Sequence, residues 1–139
     1  MKRLLTYFIL LLSVTIVICG CSKERIEQTK VNGTYAIKYP FPNIVLELKN
    51  GKCVELYLET QDGLSFRTKN IRTGGKYPDM KYSCSVEGEV SGVCDIAATF
   101  SSPDGFIADV AYHIFSGEGS DAIAWAGNIE KMEFIRQAE

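Results

Sequence analysis

The 139-residue chain has one histidine, His113, and it contains no Cys-x-x-Cys, Gly-x-Ser-x-Gly or Walker-type segment. A metal centre needs several His, Cys or carboxylate donors at defined spacings, and a hydrolase needs a base beside its nucleophile. A phosphate-binding loop needs its own glycine spacing. The sequence therefore predicts no catalytic residue, no metal site and no cofactor.

An excess of positive charge is also missing. The chain has 15 Lys and Arg against 17 Asp and Glu, and the first three residues hold two of the basic ones, Lys2 and Arg3. Without these two the balance is 13 minus 17, or minus four. Proteins that bind nucleic acid need a basic face, so no nucleic-acid partner is expected.

The amino terminus carries the longest apolar run of the chain. After Lys2 and Arg3, residues 4–18 contain no charge, and this run is shorter than the about 20 apolar residues of a spanning helix. It ends in Ile18-Cys19-Gly20-Cys21, which resembles the lipobox of bacterial lipoproteins. An ordinary secretory signal or an uncleaved anchor is the alternative.

The lipoprotein resemblance implies a signal helix at 1–20, cleavage after Gly20, and fatty acyl chains such as palmitate on Cys21. The product would be held in the bacterial cell envelope through a membrane anchor. Ser22 follows the modified cysteine, which favours the outer membrane if the source is Gram-negative. Residues 21–30 would form the lipidated cysteine and a short tether, and residues 31–139 a single domain.

This domain shows alternating apolar and polar residues, interrupted about every ten to twelve positions by turn sequences such as Asn-Gly, Gly-Gly and Pro-Asp-Gly. The pattern is typical of antiparallel all-β folds. We predict a single small β-barrel or sandwich of about eight strands, with a helical period only at 130–137. Trp125, between two alanines, is expected to fill its interior. The strands are expected near 33–39, 43–49, 53–59, 64–69, 80–87, 92–101, 106–115, 121–127 and 129–135.

The hairpin at Asn50-Gly51 allows two registers. A two-residue type I′ turn would pair Leu48 with Cys53 and mix apolar with polar positions on one face. A three-residue loop would pair Leu48 with Val54 and keep the apolar face continuous. The second register is favoured, and it places Cys53 on the outer face.

The apolar residues between Tyr82 and Phe100 occupy even-numbered positions. A reversal centred on Glu89 would place Cys84 directly opposite Cys94, whereas a reversal at residues 91–92 would separate them. In an oxidising compartment we expect a Cys84–Cys94 disulfide, with Cys53 left as a free thiol. Such a bridge would contribute about 2 to 3 kcal/mol.

Two further resemblances concern the domain. Gly33-Thr34-Tyr35 followed by residues 46–52 is similar to the opening strands of lipocalin-like β-barrel lipoproteins. Tyr82-Ser83-Cys84 and the overall size resemble membrane-bound lysozyme inhibitors, although Ser91-Gly92 continues with Val93 and Cys94 rather than with their Ser-Gly-x-x-Tyr pattern.

We therefore expect a non-enzymatic, lipid-anchored module that binds a protein or envelope partner, as an inhibitor, immunity or assembly factor does. The alternative is a lipocalin-like carrier of a small apolar ligand. A third hypothesis is an envelope hydrolase with His113 as the base and Asp109 or Asp121 as its orienting carboxylate.

Overall fold

A computed structural model describes residues 27–37, 42–117 and 123–138. The leader and Cys21 lie outside these ranges. One helical turn at 27–29 precedes nine strands. The strands are β1 (Gly33–Ile37), β2 (Asn43–Lys49), β3 (Lys52–Glu59), β4 (Ser65–Thr68), β5 (Ile71–Lys76), β6 (Asp79–Val86), β7 (Val90–Ser102), β8 (Gly105–Ser116) and β9 (Ile123–Arg136).

The strands form one antiparallel sheet in the order β4-β3-β2-β1-β9-β8-β7-β6-β5. Its two edges, β4 and β5, are consecutive in sequence. β4 pairs with β3 and β5 pairs with β6, so residues 65–76 act as one bent strand that nearly closes the sheet into an up-and-down barrel. The all-β prediction is confirmed, and of the two predicted forms the structure has the barrel.

The core lies inside this barrel because inward and outward residues alternate along each strand. Large side chains that are fully shielded from solvent include Tyr35, Tyr82 and Phe134. Phe106 stacks on Phe134 with ring centroids 4.6 Å apart, and the Phe100 ring packs against Phe106 at 4.8 Å. Aromatic packing of this kind fills the interior and holds the long strands together.

Three predictions about the strands were wrong. β5 was missed, because Gly74 and Gly75 break the alternation of apolar residues. The two strands expected at 121–127 and 129–135 are a single strand, β9, and its charged end is extended rather than helical. Its register shifts opposite residues 108–110, where Lys131 has φ of 57° and its N–H donates to Asp109 Oδ1 at 3.0 Å. This bulge interrupts the sequence pattern without ending the strand.

The predicted β2–β3 register was wrong at the turn. Asn50 and Gly51, with φ of 52° and 78°, form a two-residue turn, and Leu48 pairs with Cys53. A register shift after Glu47 then restores the apolar face. Cys53 is consequently buried, and Val54 is exposed.

The predicted β6–β7 register is confirmed, because Cys84 pairs with Cys94. Both side chains are buried on the inner face of the barrel. The paired positions of these strands are symmetric about Glu89, as the pattern of even-numbered apolar residues predicted.

The tether meets the barrel at one end. Gln28 Nε2 donates to Asn50 O at 3.2 Å, and Asn50 N–H donates to Asn32 Oδ1 at 3.0 Å. The β5–β6 and β7–β8 turns and the carboxyl end of β9 lie at this same end, which we call the tether end.

Candidate interaction surface and buried thiols

Three adjoining grooves lie on the outer wall formed by β5 to β9. Their volumes are about 410, 360 and 420 Å³. The first and second share Ser83 and Asp95, and the second and third share Ser85 and Val93. We call this continuous depression the outer groove.

The outer groove exists because small residues occupy outward positions on neighbouring strands. Ser83 pairs with Asp95, and Asp95 pairs with Ala111, so two small side chains flank one carboxylate across three strands. Ala97 pairs with Asp109 on the next outward row. The floor is therefore shallow and apolar, with carboxylates standing beside it.

The two ends of the outer groove differ in chemistry. Arg72 and Lys81 provide positive charge at the β5–β6 side. At the other end Val93 is 43% exposed and Phe115 is 41% exposed. A surface with a cationic end, a carboxylate-flanked floor and an apolar end suits an extended polypeptide segment better than one small charged ligand.

His113 belongs to the apolar end of this surface. Its ring centroid lies 5.4 Å from that of Phe115, and its side chain is exposed. Asp109 is four residues away on the same strand, about 13 Å along it, and Asp109 accepts the hydrogen bond from Lys131 N–H. Asp121 lies outside the described residues. The structure thus does not bring His113 together with Asp109.

Within residues 27–37, 42–117 and 123–138, no group of three His, Cys, Asp or Glu side chains is placed to hold a metal ion. The same ranges contain no helix long and apolar enough to cross a membrane.

The inner face carries three free thiols, Cys53, Cys84 and Cys94. Cys84 and Cys94 are paired across β6 and β7, and the Cys53 thiol donates to Glu55 O at 3.3 Å. The Cys53 N–H donates to the Thr73 hydroxyl at 3.1 Å, which links β3 to β5 across the seam of the barrel. The Cys84–Cys94 disulfide stays a prediction. The backbone register that it requires is present, because the two residues lie opposite each other on β6 and β7.

Burial keeps all three thiols protonated at neutral pH. Desolvation raises the pKa of Cys53 to about 12 and that of Cys84 to about 11, and it raises the pKa of Cys94 as well. Because the thiolate is the nucleophile in thiol chemistry, these cysteines are unreactive in the folded state.

The interior near the thiols is packed rather than hollow. The Tyr82 hydroxyl donates to Gly51 O at 2.8 Å, and burial raises its pKa. The fully buried set at this level also includes Leu46, Leu56 and Ile96. The cavities described above, and two more of about 500 and 150 Å³, lie at outward-facing or terminal residues.

Comparison with protein-family models, curated proteins and solved structures found no match. The outer groove was not predicted from the sequence. Its signal is the set of small residues at outward positions of adjacent strands, and that set is readable only once the strand register is known.

Proposed function

We propose that this chain is a lipid-anchored cell-envelope protein whose barrel is a non-enzymatic module that binds a protein partner. The proposal takes Cys21 as the lipidated residue, because the apolar run and Gly20 match what lipoprotein processing requires. The tether would bring the anchor to the tether end of the barrel. The outer groove is the observation that carries the binding role.

Its shape supports an extended segment as the bound element. A flat floor of small side chains lets a peptide backbone approach the sheet, and side chains at either end would set its orientation. The Arg72 and Lys81 end would attract acidic residues, and the Val93 and Phe115 end would receive apolar ones. An inhibitor, immunity or assembly factor would work through contacts of this kind.

A carrier of a small apolar ligand would need unfilled space inside the barrel. The side chains of Tyr35, Tyr82 and Phe134 occupy that space. The packed interior thus favours binding on the outside.

We also propose that Cys84 and Cys94 become a disulfide in the envelope. Each thiol would give up one proton and one electron, and both electrons would pass to an oxidised protein disulfide of the compartment. Because the folded-state thiols are protonated, the bridge would form before the barrel closes over them. It would act as a structural link between β6 and β7.

The binding role is tested by mild crosslinking of the native protein in its own envelope, followed by mass spectrometry of what co-purifies. Cys21→Ala is the unanchored form. Ala97→Arg fills the outer groove, and Val54→Arg is its matched control on an exposed position of β3.

We expect one stoichiometric protein partner that is lost with Ala97→Arg and retained with Val54→Arg. Retention by both variants would exclude the outer groove as the binding surface. A co-purifying lipid or metabolite in place of a protein would instead support the carrier and overturn the proposed function. An unmodified mass for the peptide that contains Cys21 in the native protein would contradict the lipid anchor.

A further inference from the structure

The outer half of β9 has an edge that no strand of the described part of the chain pairs with. β8 pairs with β9 from residue 123 to residue 135, whereas among the described residues β1 pairs with it only at 134–136. In the β1–β9 register Ile37 lies opposite Phe134, so an extension through residues 38–41 would reach residue 130 at most. Among the described residues, therefore, no strand pairs with the backbone of 123–129 on the side away from β8.

This edge lacks the features by which proteins usually protect exposed strands. Residues 123–129 read Ile-Ala-Trp-Ala-Gly-Asn-Ile and contain no charged side chain. β5, at the seam of the barrel, carries exposed Arg72 and Lys76 instead. Charged residues on an edge strand prevent pairing with another chain, and an uncharged edge permits it.

The inward-facing side chains in the outer half of β9 are only partly buried, as expected for a strand that has a neighbour on one side only. Trp125 and Ile129 pack against the core but remain half-buried, although the sequence predicted that Trp125 would fill the interior. Gly127 lies between them, and a Cβ there would be 2.3 Å from Tyr112 Cε1, so the Tyr112 ring covers this glycine. An aromatic surface thus reaches the open edge.

We propose that this edge pairs with the same edge of a second copy, in an antiparallel two-fold dimer centred on Ala126. In that register Ala126 lies opposite Ala126 of the second copy, and a residue a given number of positions before it lies opposite the residue the same number of positions after it. Trp125 then lies opposite Gly127 of the second copy, where the large indole meets the residue without a side chain. Ala124 lies opposite Asn128, and the two isoleucines 123 and 129 lie opposite each other.

The second copy is the occupant that the sequence of the edge favours. Self-pairing brings no like charges together, and the indole of each copy reaches the Tyr112 ring of the other beside Gly127. Because the contact is two-fold, each copy uses its open edge once, and the assembly closes as a dimer instead of growing into a fibre. The dimer does not depend on the proposed protein partner or on the bridge between β6 and β7.

The test is oxidative crosslinking of full-length Ala126→Cys in the membrane fraction of cells that express it. The two introduced cysteines would face each other across the two-fold axis. Ala111→Cys is the matched control, because Ala111 is an exposed alanine on β8. The two copies of this residue would be three strand spacings apart across the sheet and four residues apart along it, about 20 Å in all, which is too far for a disulfide.

We expect several-fold more covalent dimer from Ala126→Cys than from Ala111→Cys. The register is checked by producing Ala124→Cys and Asn128→Cys chains together, which should crosslink more than either variant alone. This pair also tests the proposal if Ala126→Cys fails to fold.

Equal crosslinking of Ala126→Cys and Ala111→Cys would overturn the proposal. So would a crosslinked product whose mass is not twice that of the chain, because another protein would then occupy the edge. We expect Ala97→Arg to abolish partner binding without changing the yield of crosslinked dimer. Either proposal can therefore be rejected without rejecting the other.

Discussion

The proposed Cys84–Cys94 bridge can be tested through its effect on stability. The loop between the two cysteines has about eleven residues, counted inclusively, and closing a loop of that length stabilises a fold by about 3 kcal/mol in the chain-entropy model. The strands place the two residues opposite each other. For a domain of about 110 residues this difference corresponds to a change in Tm of roughly 10 to 15 °C.

The perturbation is Cys94→Ala, and the matched control is Cys53→Ala. All the positions involved are buried, so each substitution also removes a sulfur from the core, and the control measures that common cost. Only Cys94→Ala would remove the bridge. We expect it to be less stable than Cys53→Ala by about 3 kcal/mol in urea unfolding of the unreduced proteins.

A reductant sharpens the comparison. It should lower the Tm of the native protein and of Cys53→Ala, and it should leave Cys94→Ala unchanged. Peptide mapping without reduction should recover residues 84 and 94 in one linked pair. If all three thiols of the unreduced, unfolded protein react with an alkylating reagent, or if Cys94→Ala and Cys53→Ala are equally stable, the bridge does not form.

Three further predictions concern packing and pH. Gly127→Ala should destabilise the fold by about 1 to 3 kcal/mol in urea unfolding, because the added Cβ would collide with the Tyr112 ring. Gly74→Ala is its control: no atom lies within 4 Å of the added Cβ, so its stability should stay within about 0.5 kcal/mol of the native value. Tyr82→Phe leaves the Gly51 carbonyl without its donor and should cost about 1 to 2 kcal/mol; an unchanged unfolding midpoint would show that water replaces the hydroxyl. In the reduced protein the thiols have raised pKa values when folded, so stability should be complete below pH 9 and fall towards pH 12 by about 1.4 kcal/mol per pH unit for Cys53. Flat stability over that range, followed by chemical denaturation, would contradict this account.

The sequence predicts correctly those parts of the fold in which the alternation of apolar and polar residues is the only constraint on the register. Between Tyr82 and Phe100 the apolar residues keep even positions through the turn, and the Cys84–Cys94 register follows from counting. At Asn50-Gly51 two requirements conflict: the residue types favour a two-residue turn, while face parity favours an odd loop. The protein satisfies both by adding a register shift after Glu47, and a parity argument alone cannot anticipate such an extra residue.

The remaining errors have the same origin. β5 has few apolar residues because it lies at the seam, where Thr73 rather than a full backbone ladder joins it to β3. The predicted break in β9 at residue 128 is absent, and the real irregularity is the bulge at Lys131, stabilised by Asp109, where the alternation shifts without ending the strand. The outer groove combines residues from several strands, so no local pattern identifies it.

The proposed dimer restricts how an anchored barrel can lie on a membrane. Antiparallel pairing of two β9 edges relates the copies by a two-fold axis perpendicular to their shared sheet, so their tether ends point in opposite directions along the strands. If both anchors enter one membrane, that axis must coincide with the membrane normal, and the strands must lie along the surface. Residues 21–26 span at most about 20 Å when extended, whereas the two walls of a barrel are about 10 Å apart. The tether is therefore long enough to reach the membrane past either wall of the barrel. Because the axis is perpendicular to the shared sheet, the two outer grooves would lie on the same face of the dimer.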